Sequence, residues 1–266
     1  MNRNRFAKLL NLMKSENFDA IVLNPGFSFK YLTNLEFHLM ERTTIFVITK
    51  NGEIQLILPE LEASRALKVF DKEQLFTYSD NPVLWPDFFT KTLTKLSLKN
   101  GNIGVEANRL RFLELELIQN ALPDCKVLSA SSLFNNFRII KDSQEIDCMQ
   151  KAAVIAQNAL LDTLKQPVTG KTEKELASLL TINLLQHGSG EFPFLPIVAA
   201  GENTADPHAT PSEHVIKSGE LLLIDWGASY EGYASDITRT FSVGEVDPVF
   251  SEIGRAHADL QSRQVI

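Results

Sequence analysis

The chain has 266 residues, of which 44% are hydrophobic and 22% charged; this is enough for about two domains of ordinary globular composition. Its net charge of −7 speaks against a nucleic-acid or anionic-membrane partner, and no apolar stretch approaches the ~20 residues that span a bilayer. Only Cys125 and Cys148 are present, so a disulfide framework is excluded and a reducing, cytoplasmic setting is expected.

Met1 to Ala20 alternates charged and apolar positions. Phe6, Leu9, Leu10 and Met13 share a helical face, so the segment reads as an amphipathic helix and not a signal peptide. Ala20–Leu23 follows as a short buried strand. Thr44–Thr49 and Glu53–Leu58 flank Asn51-Gly52, a pair that tolerates positive φ and signals a hairpin. Helical segments are predicted over roughly 60–70, 86–96 and 109–121, and strands over 74–78, 103–106 and 126–129. Alternation of this kind predicts an α/β domain with a mixed sheet over residues 1–135.

Asn135 to Lys141 reads as a junction. Beyond it, Asp142-Ser-Gln-Glu145 has capping-box spacing, and Ile146, Met149, Ala153, Ala156, Leu160 and Leu164 mark one predicted helical face. Thr172-Glu-Lys-Glu175 opens a second helix, closed by Gly188. Ile197–Ala200 is a short strand, and 201–218 is a polar loop carrying His208 and His214. Two strands joined by a tight connection then cover 221–241, and Pro248 opens a last helix.

The 221–241 segment carries one aspartate on each strand. Folding it between Tyr230 and Glu231 places Asp225 opposite Asp236. Directly opposed carboxylates repel at Cβ separations of roughly 4.5–5.5 Å. They need a cation between them, or one must hold a proton; hard divalent cations prefer such oxygen donors. The plainer alternative is a pair of solvated carboxylates, which is hard to arrange for Asp225 after four apolar residues. Thr238 and Thr240 share the face of Asp236 by period two. Their hydroxyls either support the carboxylates or simply reflect β-propensity. His208 is either a surface loop histidine or a neutral imidazole that hydrogen-bonds a substrate carbonyl.

Several blocks resemble the pita-bread metallopeptidases, which comprise Xaa-Pro aminopeptidases, prolidases and creatinase-like relatives. They are Asn24-Pro25 with Tyr31-Leu-Thr-Asn34, Arg138-Ile-Ile-Lys141 with Glu145-Ile146, Gly170-Lys-Thr-Glu173, Phe194-Leu-Pro-Ile-Val-Ala-Ala-Gly201 with Asn203 and Pro207-His208, Asp225-Trp-Gly-Ala, and Ser235-Asp-Ile-Thr-Arg-Thr-Phe241. The resemblance implies a creatinase-like α/β domain over 1–135 and the first half of an α+β pita-bread catalytic domain over 136–266. It further implies that Asp225 chelates one divalent metal and Asp236 bridges two, with Mn, Co or Zn as the ion. Thr238 would support them, His208 would contact the substrate, and the substrate would be a peptide with proline at its second position.

In the family, a second half of the catalytic domain supplies a histidine and two glutamates. The sequence matches the first half only; Glu245, Glu252 and His257 are poor replacements. The expectation is a truncated metallo-aminopeptidase or dipeptidase that is inactive or very weak alone, and that forms a homo-oligomer or meets a complementing chain. The alternative is a non-catalytic pita-bread module that binds peptides or proteins.

Overall fold

A computed structural model describes residues 1–250 and 252–255. The chain divides into two compact units, Met1–Ile140 and a second beginning at Lys141.

The first unit contains α1 (Arg3–Ser15), β1 (Ala20–Leu23), α2 (Phe27–Thr33), β2 (Ile45–Thr49), β3 (Ile54–Pro59), α3 (Ala63–Ala66), β4 (Leu75–Tyr78), α4 (Trp85–Leu93), β5 (Asn102–Val105), α5 (Phe112–Ala121), β6 (Lys126–Ser129) and α6 (Ser131–Arg138). Its six strands lie in the order β4-β3-β2-β1-β5-β6. The pairs β1–β2 and β2–β3 are antiparallel, and β1–β5, β5–β6 and β3–β4 are parallel, which gives the mixed sheet expected.

Period-two alternation splits the sheet's side chains between two cores. Ile21, Leu23, Phe46, Ile48, Leu56 and Leu58 pack with Leu9, Met13, Phe29, Leu133 and Phe137 from α1, α2 and α6. Ala20, Val22, Ile45, Val47 and Ile57 pack with Phe89, Leu93, Leu117 and Ile118 from α4 and α5. With both faces covered, β1, β2 and β3 are buried along their whole length. That is why they read as continuous apolar runs.

Two local features differ from the sequence expectation. Residues 27–33, unassigned from the sequence, form α2 behind Gly26. In the β2–β3 hairpin only Gly52 takes positive φ (87°). Thr49 and Glu53 bracket a three-residue loop, Lys50-Asn51-Gly52, and such a loop needs the left-handed conformation only at its last position. The division between units falls after Ile140, and α6 buries Leu133, Phe134 and Phe137 in the first unit's core.

The second unit contains α7 (Ser143–Thr163), α8 (Glu173–Gln186), β7 (Ile197–Ala200), β8 (Leu221–Trp226), β9 (Ser229–Tyr230), β10 (Tyr233–Ala234) and β11 (Ile237–Ser242). Both helices begin in capping boxes, Asp142 with Glu145 and Thr172 with Glu175, which satisfy N–H groups that lack intrahelical partners. The antiparallel sheet has the order β11-β8-β7, and β9 and β10 extend it as a two-stranded ribbon.

Leu176, Leu180 and Leu184 of α8 and Ala156, Ala159 and Leu160 of α7 pack on Val198, Ala200, Leu222, Ile224 and Trp226. This is two helices on one face of an antiparallel sheet, an α+β arrangement. The buried face of α7 is Glu145, Ala152, Ala156, Ala159, Leu160 and Thr163; Ile146 and Met149, expected in the core, are exposed. The alanines let the helix backbone come close to the sheet, where Trp226 Nε1–H donates to Ala156 O at 2.9 Å. Beyond the sheet, residues 248–250 and 252–255 are helical; the rest of the helix expected after Pro248, and His257, lie outside the described residues.

Candidate metal and substrate site

Burial along β8 alternates strictly. Leu222, Ile224 and Trp226 face the helices, while Leu221, Leu223 and Asp225 face the other way. On β11 the partner of Asp225 is Thr238, and that of Leu223 is Thr240. The expected pairing of Asp225 with Asp236 is therefore corrected by two residues.

The reason is the turn. Tyr230 pairs with Tyr233, so the loop is Glu231-Gly232, at φ 51° and 86°. Positive φ at both central residues is what a two-residue type I′ turn requires. Moving the fold point one residue along the chain moves every pairing by two. An even shift leaves each strand side chain on its original face; Asp236 lies one residue before β11 begins, near enough for its charge to act on the Asp225 carboxyl.

Between the β8–β11 ladder and the β9–β10 ribbon the strands break at Gly227-Ala228 and Ser235-Asp236. Ser235 N–H donates to Ala228 O at 2.8 Å, and Ala228 N–H donates to Ser235 Oγ at 3.1 Å. The backbones approach so closely that a Cβ on Gly227 would lie 2.3 Å from Ser235 O. No side chain fits there, and Asp236 leaves the backbone beside this constriction.

The electrostatics of the pair follow from this placement. Burial pushes the Asp225 carboxyl above the ordinary aspartate range; a hydrogen bond from the Thr238 side chain pulls it down, and repulsion from Asp236 adds to the rise. Asp225 Oδ1 is buried, and among the described residues nothing hydrogen-bonds it. An acceptor so placed is costly to bury. A cation would satisfy it and at the same time offset the repulsion between the two carboxylates. The donor set is all oxygen, as hard divalent ions prefer. The two aspartates and Thr238 thus fit part of a divalent-metal site. Among the described residues no group of three or more His, Cys, Asp or Glu side chains comes together as a complete one.

His208 is placed differently. It sits on an exposed turn after the 3₁₀ segment Gly201–Ala205, with its own N–H donating to Asp206 Oδ1 at 2.9 Å. Ile197 of β7 pairs with Asp225, whereas Ala200, where the chain leaves for His208, pairs with Leu222. The strand pairing therefore does not itself bring His208 to the aspartates; the path of residues 201–215 decides where it goes.

That path is held by the acidic residue of the Gly170-Lys-Thr-Glu173 turn motif. Glu173, first in α8, is 1% exposed. Its Oε1 accepts from Ala200 N at 2.7 Å and Asn203 Nδ2 at 3.0 Å, and its Oε2 from Ser212 N at 2.9 Å and Ser212 Oγ at 2.7 Å. Burial pushes this carboxyl up, but the hydrogen bonds outweigh it and its pKa lies below the ordinary range. The sequence signal was the acidic residue directly after a capping threonine; its partners, 27 to 39 positions away, had none.

The second unit's residues 147–263 match the model of metallopeptidase family M24, and residues 5–140 match the creatinase/prolidase N-terminal domain. Among solved structures, a dipeptidase from Pyrococcus horikoshii OT3 is 30% identical with a TM-score of 0.88, covering 97% of this chain and 70% of its own. A prolidase from Thermococcus sibiricus is 26% identical with a TM-score of 0.87, covering 95% and 68%. An Xaa-Pro dipeptidase from Bacillus anthracis is 27% identical with a TM-score of 0.80, covering 94% and 67%. The chain thus spans about two thirds of the length of each. Among the described residues no helix is long and apolar enough to cross a membrane.

Proposed function

The chain belongs to metallopeptidase family M24 and carries a creatinase/prolidase N-terminal domain, and from that premise we propose that it is a metal-dependent exopeptidase of the Xaa-Pro aminopeptidase or dipeptidase type. The observation that carries this reading is the carboxylate pair, with a buried Asp225 oxygen that no described group satisfies and a like charge from Asp236 beside it.

In this reading Asp225 and Asp236 hold divalent ions, with Mn, Co or Zn as candidates. Thr238 keeps the Asp225 carboxylate oriented through its hydrogen bond. Bound there, the ions supply Lewis-acid polarisation of the scissile carbonyl and a water of lowered pKa. His208 hydrogen-bonds the substrate carbonyl oxygen and stabilises the charge that develops on it. The substrate is a peptide with proline at its second position, which the names of the similar B. anthracis and T. sibiricus proteins support. The two free cysteines suit a reducing cytoplasm.

The two carboxylates found among the described residues would leave most coordination positions to water, and by themselves would hold ions weakly and support slow turnover of Xaa-Pro peptides. The β11 edge of the three-stranded sheet has no further strand beside it among the described residues; such an edge suits a second copy or a complementing chain.

Metal analysis of the purified chain, with and without Asp236→Ala, tests the assignment. Loss of bound Mn in the variant supports the peptidase reading. Equal metal in both proteins supports the second reading, a non-catalytic peptide-binding module, which is favoured because no group of three or more ligating side chains comes together among the described residues. Rapid turnover of Ala-Pro or Met-Pro substrates by the chain alone would overturn the expected weakness.

A further inference from the structure

We propose that Glu173 is a positioning residue for His208, holding both ends of the segment that presents it. The inference rests on the peptidase reading, in which His208 meets the substrate.

The geometry is specific. Residues 200–212 leave β7, turn at Asp206–His208 and return, and a single carboxylate receives both ends of that excursion. Ala200 and Asn203 donate to one oxygen, and Ser212 donates to the other through its amide and its hydroxyl. The backbone adds further ties at the same place: Glu173 N–H donates to His214 O at 3.1 Å and Lys174 N–H to Ser212 O at 3.2 Å. Glu173 is itself fixed by its place at the start of α8, immediately after the capping residue Thr172.

The helix N-terminus favours negative charge. An ionised carboxylate is the one side chain that accepts four hydrogen bonds and donates none. Burying such a charge is costly unless every lone pair is used. Here all four contacts run to the His208 segment and none to the helix core. A loop needed only to connect β7 to β8 would have no use for a fully buried ion; a loop whose tip must stand at a defined place does.

Two substitutions test this in the full chain. Glu173→Gln keeps the shape but replaces one acceptor oxygen with a donor NH₂ group, so at least one of the two backbone contacts, from Ala200 N–H or Ser212 N–H, is lost. Ser212→Ala removes a single hydroxyl and serves if Glu173→Gln does not fold. We expect Mn²⁺ affinity within about twofold of the parent in both variants. Hydrogen exchange in residues 200–212 should accelerate by roughly tenfold in Glu173→Gln and less in Ser212→Ala, with α7 and β8 unchanged. Ala-Pro affinity in the presence of Mn²⁺ should fall several-fold in Glu173→Gln. His208→Ala added to Glu173→Gln should bring no further loss, because both changes remove the same contact.

Unchanged exchange in 200–212, exchange accelerated evenly across the unit, or strictly additive losses in the double variant would each overturn the proposal. If the parent chain binds neither Mn²⁺ nor Ala-Pro, the peptidase reading fails, and the exchange pattern still decides whether Glu173 clamps the segment.

Discussion

Asp225 takes a hydrogen bond from Thr238, the residue directly across the β8–β11 ladder, while Asp236, two positions before Thr238, pushes the same carboxyl toward its neutral form. The threonine favours the ionised aspartate, and burial and the second aspartate oppose it. In the absence of a cation the net result is a raised pKa.

This balance gives the first prediction. A carboxyl whose pKa is higher in the folded state than in the unfolded state keeps its proton longer on folding. Its contribution therefore falls as the pH rises from the unfolded value of about 3.9 through the folded one, and above that window the ionised group costs stability. Asp225→Asn removes the charge while keeping the shape. At pH 7 in chelator the variant is expected to melt higher than the parent, by on the order of 2 °C. Mn²⁺ should raise the melting temperature of the parent and leave that of the variant unmoved. Thermal unfolding in chelator and in a Mn²⁺ series checks both halves; a variant that still gains stability from Mn²⁺ would remove Asp225 from the ligand set.

A second prediction concerns the turn that sets the register. Glu231 holds φ 51° without the freedom of glycine, and left-handed backbone costs a residue with a Cβ roughly 1 kcal/mol. Glu231→Asn creates the Asn-Gly pair preferred in type I′ turns and should stabilise the second unit by about 0.5 kcal/mol. Gly232→Ala, at φ 86°, should destabilise it by about 1 kcal/mol. Denaturant titration of the two variants should show shifts of opposite sign.

Trp226 supplies the third. It is 1% exposed and joins β8 to α7 through its indole N–H and the Ala156 carbonyl. Trp226→Phe keeps an aromatic ring but loses that hydrogen bond and part of the buried volume, at a cost of about 2 kcal/mol. Native-state hydrogen exchange should show the loss in α7 and β8 amides, and no change in the first unit's strands.

A fourth prediction belongs to the first unit. Asp19 accepts from Lys50 Nζ at 2.7 Å and from Asn102 N–H at 2.8 Å, and these contacts, Lys50 first, hold its pKa below the ordinary range against the effect of burial. A depressed carboxyl stabilises the fold above its unfolded pKa of about 3.9, and that contribution is lost as the pH falls through the folded value. Asp19→Asn should therefore be less stable than the parent at pH 7, and the two should converge as the pH drops below the carboxylate range. A gap that is constant with pH would show that the ion pair is not its source.

Much of the architecture was legible because it rests on local rules. Ala20–Leu23, Lys126–Ser129 and Ile197–Ala200 are strands where the apolar runs place them, and the capping boxes at Asp142 and Thr172 start α7 and α8. The buried face of α7 is not legible from apolar periodicity because it is built largely of alanines, which carry too little apolar signal to compete with the exposed Ile146 and Met149. Helix α2 was missed because seven residues are too few for a periodicity to emerge.

The amino-acid order alone put an aspartate on or beside each of two neighbouring strands, and any even change of register preserves the face of every strand residue. It could not say which residue stands against Asp225; that was decided when Glu231 and Gly232 adopted the left-handed turn and brought Thr238 into place. Nor could it reveal the four hydrogen bonds on Glu173, because a buried carboxylate collects its donors from wherever the folded chain delivers them, and here β7 and the 203–212 segment arrive from dozens of residues away.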